Sequence, residues 1–568
     1  MQPFYLRTVK KWNIMKRREF FSASLPKTEG VSELKQVKKV ERRTSSGISE
    51  YTGTWSQWEV KHLLSRALFG YNHADLSKYG AKTMSETVAE LVNIDETVPD
   101  LPINDYSFNT TDPECAENVV WLNTKNSRNF GRRMSLRNWW MKHMISDGTI
   151  REKMTLFWHN HFAAESAAIA DARMAYVYLA LLRKHCMGNL RDLTKDMTID
   201  PGMLKYLNGY VNSKEAPDEN YARELQELFT LGKGPDSKYT EDDVKAAARV
   251  LTGWRIDYSK NPPTRLFQSN RHDEDDKQFS AFYGNKVIKG QTGATAGEAE
   301  LDEMLDMIFA KSEVSKHIIR RLYVFFVYYE IDADTEANVI EPLAQLYETN
   351  NHNIKPVIET LLKSEHFFDQ ANRGCIIKPP LDYMVGFAKS GYLNMPAQTE
   401  SNAVRYTHEK YINDICAVSE QALLDPPGVA GWPAYYQAPS FHEVWISSNT
   451  MPTRIALMGQ MAYSGRKSQG YTLKMNLFDI AENTSDPSDP NILVNECLDY
   501  FLPMPSSENL KASTKEFLLP GGLPDFNWTT IWNTYKSDPG DATNTKTCTD
   551  LLTYMIYSIL NLAEFQLH

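Results

Sequence analysis

Glu59-Val60-Lys61-His62-Leu63-Leu64-Ser65-Arg66-Ala67-Leu68-Phe69-Gly70 sets the pattern for the chain. Val60, Leu63, Leu64, Ala67 and Leu68 recur at spacings of three and four, which puts them on one face of a helix. From Trp55 onward the period persists. It predicts a helical hairpin over 132–165. Trp139, Trp140, Met144 and Ile145 lie on one arm, Ser146-Asp147-Gly148 form the break, and Met154, Phe157, Trp158 and Phe162 continue on the other. Further helices fit 173–186, 219–231, 240–252, 298–310, 313–330, 336–349, 354–364, 379–391, 408–424 and 549–563. Thr240 followed by Glu241-Asp242-Asp243 reads as a capped helix start with acids in its first turn.

Alternation of the strand type is scarce. The best stretch is 264–289, where Leu266, Phe267, Phe279, Phe282 and Val287 flank a polar tip at 270–277. Residues 465–492 and 503–546 are rich in Ser, Asn, Asp, Gly and Pro and read as loops joining short helices. No fixed-period repeat is present, which argues against a solenoid. The expected fold is mainly α: one large multi-helix domain over 51–568, with a small β-hairpin or long-loop insertion near 264–289. Residues 1–50 read as a separate, basic, poorly ordered leader.

The 568 residues are 42% hydrophobic and 24% charged, enough to bury a sizeable core and too apolar for wholesale disorder. The longest apolar run, near Leu322–Tyr329, is far short of the ~20 residues of a spanning helix. Residues 1–50 carry 12 Lys and Arg against 5 Asp and Glu, and the remainder carries 50 against 67. An acidic body repels phosphate backbones, so a nucleic-acid partner is not expected. Met15-Lys16-Arg17-Arg18-Glu19-Phe20-Phe21 resembles the start of a twin-arginine export signal, but the residues after Phe21 are too polar for its apolar stretch. Export and a cytoplasmic location with a non-functional leader both stand. The six cysteines are scattered, without a Cys-x-x-Cys pair, and read as small buried side chains.

Four segments could carry chemistry. In Phe157-Trp158-His159-Asn160-His161-Phe162 the two histidines lie ~200° apart on a regular helix, so the plain reading is one core and one surface histidine. In Asn220-Tyr221-Ala222-Arg223-Glu224-Leu225-Gln226-Glu227-Leu228-Phe229, residues Asn220, Arg223, Glu224 and Glu227 share a face. That face is either solvated, with a weak ion pair, or a carboxylate pair suited to a metal. Arg271-His272-Asp273, followed by Glu274-Asp275-Asp276-Lys277, is either a solvated acidic loop or a metal or acid–base site. Asp425-Pro426-Pro427-Gly428-Val429-Ala430-Gly431-Trp432-Pro433, followed by Trp445, Asn449 and Arg454, specifies a fixed irregular backbone, a wedge or a pocket wall. The phosphate loop, the dinucleotide fingerprint, the nucleophile elbow and the His-Glu-x-x-His zinc motif do not occur.

Taken in order, these segments are more specific than any one alone. His62 to Gly70, Glu152 to Phe162, Asn220 to Leu225, Leu251-Thr252-Gly253-Trp254-Arg255, His272-Asp273, Pro426 to Pro433 and the ending Ala563-Glu564-Phe565-Gln566-Leu567 together resemble the bacterial domain-of-unknown-function family numbered 1800. The resemblance covers about 55–568. It implies structural roles for His62, Arg66, Asn220, Gly253, Trp254, Pro427, Gly431 and Trp432. It also implies export, and a partner from the family numbered 1501, which resembles the sulfatase and phosphatase group. This chain departs from the pattern in its leader and in Glu274-Asp275-Asp276, where the family places a turn with Pro or Gly.

Two readings of function follow. In the first, the three polar segments converge on one divalent-metal site for metal-assisted hydrolysis. His159, His161, Glu224, Glu227 and His272 are its ligands, and Glu224, Arg223 and Asp273 its candidate catalytic groups. In the second, the chain is a non-catalytic interaction or scaffold protein for the sulfatase-like partner, and the polar motifs are buried networks that fix helix packing.

Overall fold

The computed structural model describes residues 44–95, 99–106, 111–125 and 128–568. Its first long helix, Gln57–Ala67, follows the opening period. Ser56 and Glu59 form a capping box, with the Ser56 N–H donating to Glu59 Oε2 at 2.9 Å. Val60, Leu63 and Leu64 are fully buried.

The predicted hairpin is present as Asn129–Ser146 and Arg151–His161. Asp147 makes the break by accepting the Thr149 N–H at 2.7 Å. The second arm is buried at ten of its eleven positions and is the axis of the body. The Asn129–Ser146 and Ala172–Lys184 helices pack against it. Glu241–Val250, Ala296–Phe309, Ser312–Phe326, Ile354–Lys363 and Pro380–Lys389 follow within a few residues of their expected bounds. One continuous apolar core joins them. Among the described residues no helix is long and apolar enough to cross a membrane.

Several boundaries differ for local reasons. The helix expected at 408–424 is Asn402–Val418, because Ser401 caps it and the chain turns at Glu420 and Leu424, both at positive φ. The 219–231 helix is α-helical only over Asn220–Glu224 and continues as a π-helix over Leu225–Thr230. The last helix starts at Ala542, not 549. Asp541 caps it, and its polar first turns face solvent without an apolar period to announce them. The stretch 503–546, read as loops joining short helices, contains the helices Glu508–Leu518 and Phe526–Ser537.

The insertion near 264–289 is two small antiparallel hairpins. Trp254–Asp257 pairs with Thr264–Phe267, and Lys277–Gln278 with Val287–Ile288. A third hairpin joins Arg466–Ser468 to Tyr471–Leu473 within the other expected loop. Gln469 and Gly470 both have positive φ, the backbone of a two-residue turn that matches strand twist.

The leader expected over 1–50 falls mainly on residues 1–43, outside the described residues. Residues 44–50 are described, and they bond to the helical body. The Ser49 carbonyl accepts the Glu365 N–H at 2.8 Å, and the Gly47 carbonyl accepts that of His366 at 3.2 Å. Cys375 is partly exposed and the other five cysteines are buried; no disulfide joins them among the described residues.

Gly386, in the Pro380–Lys389 helix, and Gly70 allow the two segments to meet backbone to backbone. A Cβ on Gly386 would lie 2.5 Å from the Phe69 carbonyl oxygen, and Gly70 takes φ +123°. Gly386→Ala is therefore expected to lower stability by about 1–3 kcal/mol through overpacking. Gly148→Ala, which meets nothing within 4 Å, stays within about 0.5 kcal/mol. Urea unfolding midpoints of the two variants check this.

Candidate functional site

The Arg151–His161 helix brings its polar side chains into enclosed surroundings. His159 and His161 are 0% and 1% exposed. The expectation of one core and one surface histidine is corrected: a helix buried on all sides has no solvent face to receive the second ring. Tyr178 donates to the Phe162 carbonyl at 2.7 Å, and His159 Nδ1 lies 2.9 Å from the same hydroxyl. With the tyrosine proton on Phe162, His159 Nδ1 is the donor, and its bare Nε2 has no partner. Trp140 and Trp432 close edge-on around this ring. Burial, then the Arg137 charge, pushes the His159 imidazole down to about 3.

His161 Nε2 donates to the Phe229 carbonyl at 3.1 Å, and His317 Nε2 donates to that of Leu228 at 3.0 Å. These carbonyls belong to the end of the π-helix, where the last turn leaves acceptors without helical donors. Two imidazoles therefore complete this helix end. Each has its other nitrogen, Nδ1, deprotonated. Burial lowers both, and the nearby Arg321 guanidinium lowers them further.

The Asp425–Pro433 segment packs directly on the same helix. Asn160 Oδ1 accepts the Trp432 N–H at 2.8 Å, and Gly431 is pressed against Asn160 at φ +86°. A Cβ there would sit 2.3 Å from Asn160 Oδ1, so glycine is required. Asp425 accepts from Ser166 Oγ at 2.6 Å and from the Ala167 N–H at 3.3 Å, and pairs with Arg137. Trp432 is fully buried, whereas Pro427 is exposed.

On the neighbouring helix, Asn220 is exposed. Arg223 turns outward to clamp Glu241 with two hydrogen bonds of 2.7 Å, and it also meets Glu219. Glu227 pairs with Lys233. Glu224 keeps one buried oxygen without a partner; burial, then the Glu227 charge, raises its carboxyl. Asn220, Arg223 and Glu224 lie in the α-helical part and Glu227 in the π-helix, and the Glu227 charge still acts on Glu224.

In the His272-Asp273 loop the acids Glu274, Asp275 and Asp276 are exposed, as a solvated tip would have them, but the base of the loop is buried. His272, Lys277 and Glu300 are each 0% exposed. His272 Nδ1 faces the Thr252 carbonyl at 3.0 Å, and Nε2 faces Glu300 Oε1 at 3.1 Å, so both ring nitrogens are engaged. Lys277 pairs with the other Glu300 oxygen at 2.7 Å. Arg249 grips Asp273 through two nitrogens, at 2.7 and 3.1 Å. Burial pushes the Asp273 carboxyl up, but the Arg249 bonds and the Asp275 N–H outweigh it and hold it below its ordinary range. Asp273 Oδ1 accepts that Asp275 N–H at 3.0 Å. The aspartate thereby closes the turn through its own side chain. Gly253, at φ +93°, lets the Phe267 ring and the Gln268 carbonyl approach, and Trp254 is buried against Phe267.

The 157–162 segment is thus touched directly by 425–433 and by 225–230, while His272 sits in a separate network with Thr252, Lys277 and Glu300. Among the described residues, no group of three or more His, Cys, Asp or Glu side chains gathers where it could hold a metal ion. His62 Nε2 donates to the Phe367 carbonyl at 2.9 Å, and Arg66 donates to the carbonyls of Asn372 and His568. Sequence reasoning missed Arg137, His317, Arg321 and Glu300. A lone charge has no local mark of burial when its partner stands far along the chain.

Lys277→Met strips Glu300 of its cation and is expected to cost about 3–5 kcal/mol, with Glu300→Gln added to it restoring part of the loss. A double-mutant cycle by urea unfolding measures this. His159 also couples stability to pH. The unfolded ring takes up a proton below its ordinary 6.5, while the folded ring stays neutral to about 3. Its contribution is full above pH 6.5 and is lost as pH falls toward 3. His159→Gln is expected to flatten the stability–pH slope between these limits by up to about 1.4 kcal/mol per unit, read from unfolding at pH 7, 6 and 5.

Comparison with known proteins adds the family. The family described as Protein of unknown function (DUF1800) matches residues 62–567. No curated protein and no solved structure matches the chain. A match from His62 to Leu567 spans nearly the whole helical body, and the chain belongs to the DUF1800 family.

Proposed function

We propose that the chain is a non-catalytic interaction protein, and that its polar motifs are a packing framework for the surface it presents. The observation that carries this is enclosure. His159, His161 and His272 are at most 1% exposed, and each commits at least one ring nitrogen to a neighbour in the protein. Arg223 and Asp273, two of the candidate catalytic groups, are held in bidentate ion pairs. Groups in such networks are satisfied in place, and moving them toward a substrate would break strong bonds. The family resemblance supplies the partner, a sulfatase-like protein encoded nearby.

The metal reading keeps one observation in its favour. His159 Nε2 and His161 Nδ1 are buried and have no hydrogen-bond partner. Bare imidazole nitrogens of this kind are what a divalent cation takes.

Co-expression with the sulfatase-like neighbour, followed by gentle lysis and size exclusion, tests the first reading. A stable complex is expected, and two separately eluting proteins would overturn it. Elemental analysis of the purified chain separates the second. Substoichiometric metal is expected; one equivalent of zinc or manganese, lost in His161→Ala, would move the assignment to metal binding.

A further inference from the structure

A cavity of about 80 Å³ lies between the first helix, the Pro380–Lys389 helix and the end of the chain. Lys61, His62, Tyr71, Lys378, Asp382 and His568 line it. Its volume holds on the order of five water positions, which is the size of a five-atom oxyanion. The 157–162, 220–230, 271–277 and 425–433 segments do not line it, whereas the His62–Gly70 and Phe565–Leu567 stretches do.

The charges around it do not balance. Lys61 and Lys378 face the cavity, with Arg66 and Lys153 close by. Asp382 is the carboxylate that faces them, and it is already paired with Lys153. It lies within electrostatic reach of Lys153, Arg66 and Lys378. Asp499 acts on Lys61 from the rim, and Arg454 adds a further positive charge beside Lys378. One more carboxylate at His568 would still leave the cations in excess.

The cations also hold unused donors. Arg66 is 1% exposed. It spends Nη2 on the Asn372 and His568 carbonyls, while Nε and Nη1 have no hydrogen-bond partner. Lys378 donates to the Phe565 carbonyl at 2.8 Å and lies over the Phe565 ring at 4.5 Å. Lys61 donates to the Asp499 carbonyl and to the Leu502 carbonyl, the latter at 2.5 Å, and lies over the Trp58 ring at 4.3 Å. Each ammonium has three donors, so carbonyl contacts do not exhaust them. Uncompensated cations in a low-dielectric site are costly, and an anion that joins them removes that cost. Burial lowers both lysines to about 7; Asp499 opposes this at Lys61 and Asp382 at Lys378, while Lys378 and Arg454 respectively add to it.

We propose that this cavity binds a small tetrahedral oxyanion of the phosphate or sulfate type. The anion sits against Lys61 and Lys378, and Arg66 supplies the long-range field. The site does not depend on the partner or metal readings.

Isothermal titration of the full chain with inorganic phosphate, and separately with sulfate, tests it, with chloride at matched ionic strength as the reference. One equivalent is expected to bind, with affinity falling at least tenfold in Lys378→Met and in Lys61→Met. Lys289→Met, on the hairpin surface, leaves it unchanged. Whichever anion binds more tightly identifies the source. Should a lysine variant fail to fold, wild-type crystals soaked in selenate are expected to show one anomalous peak between Lys61 and Lys378. Absence of binding to both anions, binding that survives both lysine variants, or a selenate peak elsewhere with the cavity empty would overturn the proposal.

Discussion

The Arg151–His161 helix is enclosed by protein, and every polar group on it must therefore find its partner inside the molecule. Ten of its eleven residues are buried, among them Glu152, Lys153, His159, Asn160 and His161. An unmade buried hydrogen bond costs more than a made one contributes, so these side chains dictate what may pack against them. Glu152 takes Trp140 and Arg183. Lys153 takes Asp382. Asn160 takes the Trp432 backbone and requires glycine at 431. His161 ends the π-helix at Phe229. Four distant parts of the chain are thus located by one helix.

The same constraint explains why the polar motifs look like chemistry. Histidines, acids and an asparagine on a tryptophan-rich helix resemble an active site because both need converging polar groups. What separates the two is where the free valences point. Around the central helix nearly every donor is matched locally. Around the Lys61–Lys378 cavity the charges remain in excess beside open volume, away from the histidine-bearing helix that looks most like an active site.

Much of the fold was legible. The hairpin at 132–165 and the helices near 173–186, 240–252 and 354–364 followed from spacing, since one buried face imposes a 3.6-residue period. The period fails where burial is on all sides, as at His159, or on none, as in the first turns of Ala542–Leu560. It also fails at 225–230, where a π-helix shifts every later side chain without altering composition. The third hairpin was hidden because Gln469-Gly470 is a weaker turn signal than Asn-Gly.

By itself the sequence determined the helical class, the family and the residues that would matter, because apolar periodicity and motif order are properties of the chain. Only the tertiary structure decided what those residues do. Lys153 and Asp382 stand 229 positions apart, and Asn160 and Trp432 stand 272 apart. A side chain's role depends on its partner and on its exclusion from water, and both are set by which distant segments pack together.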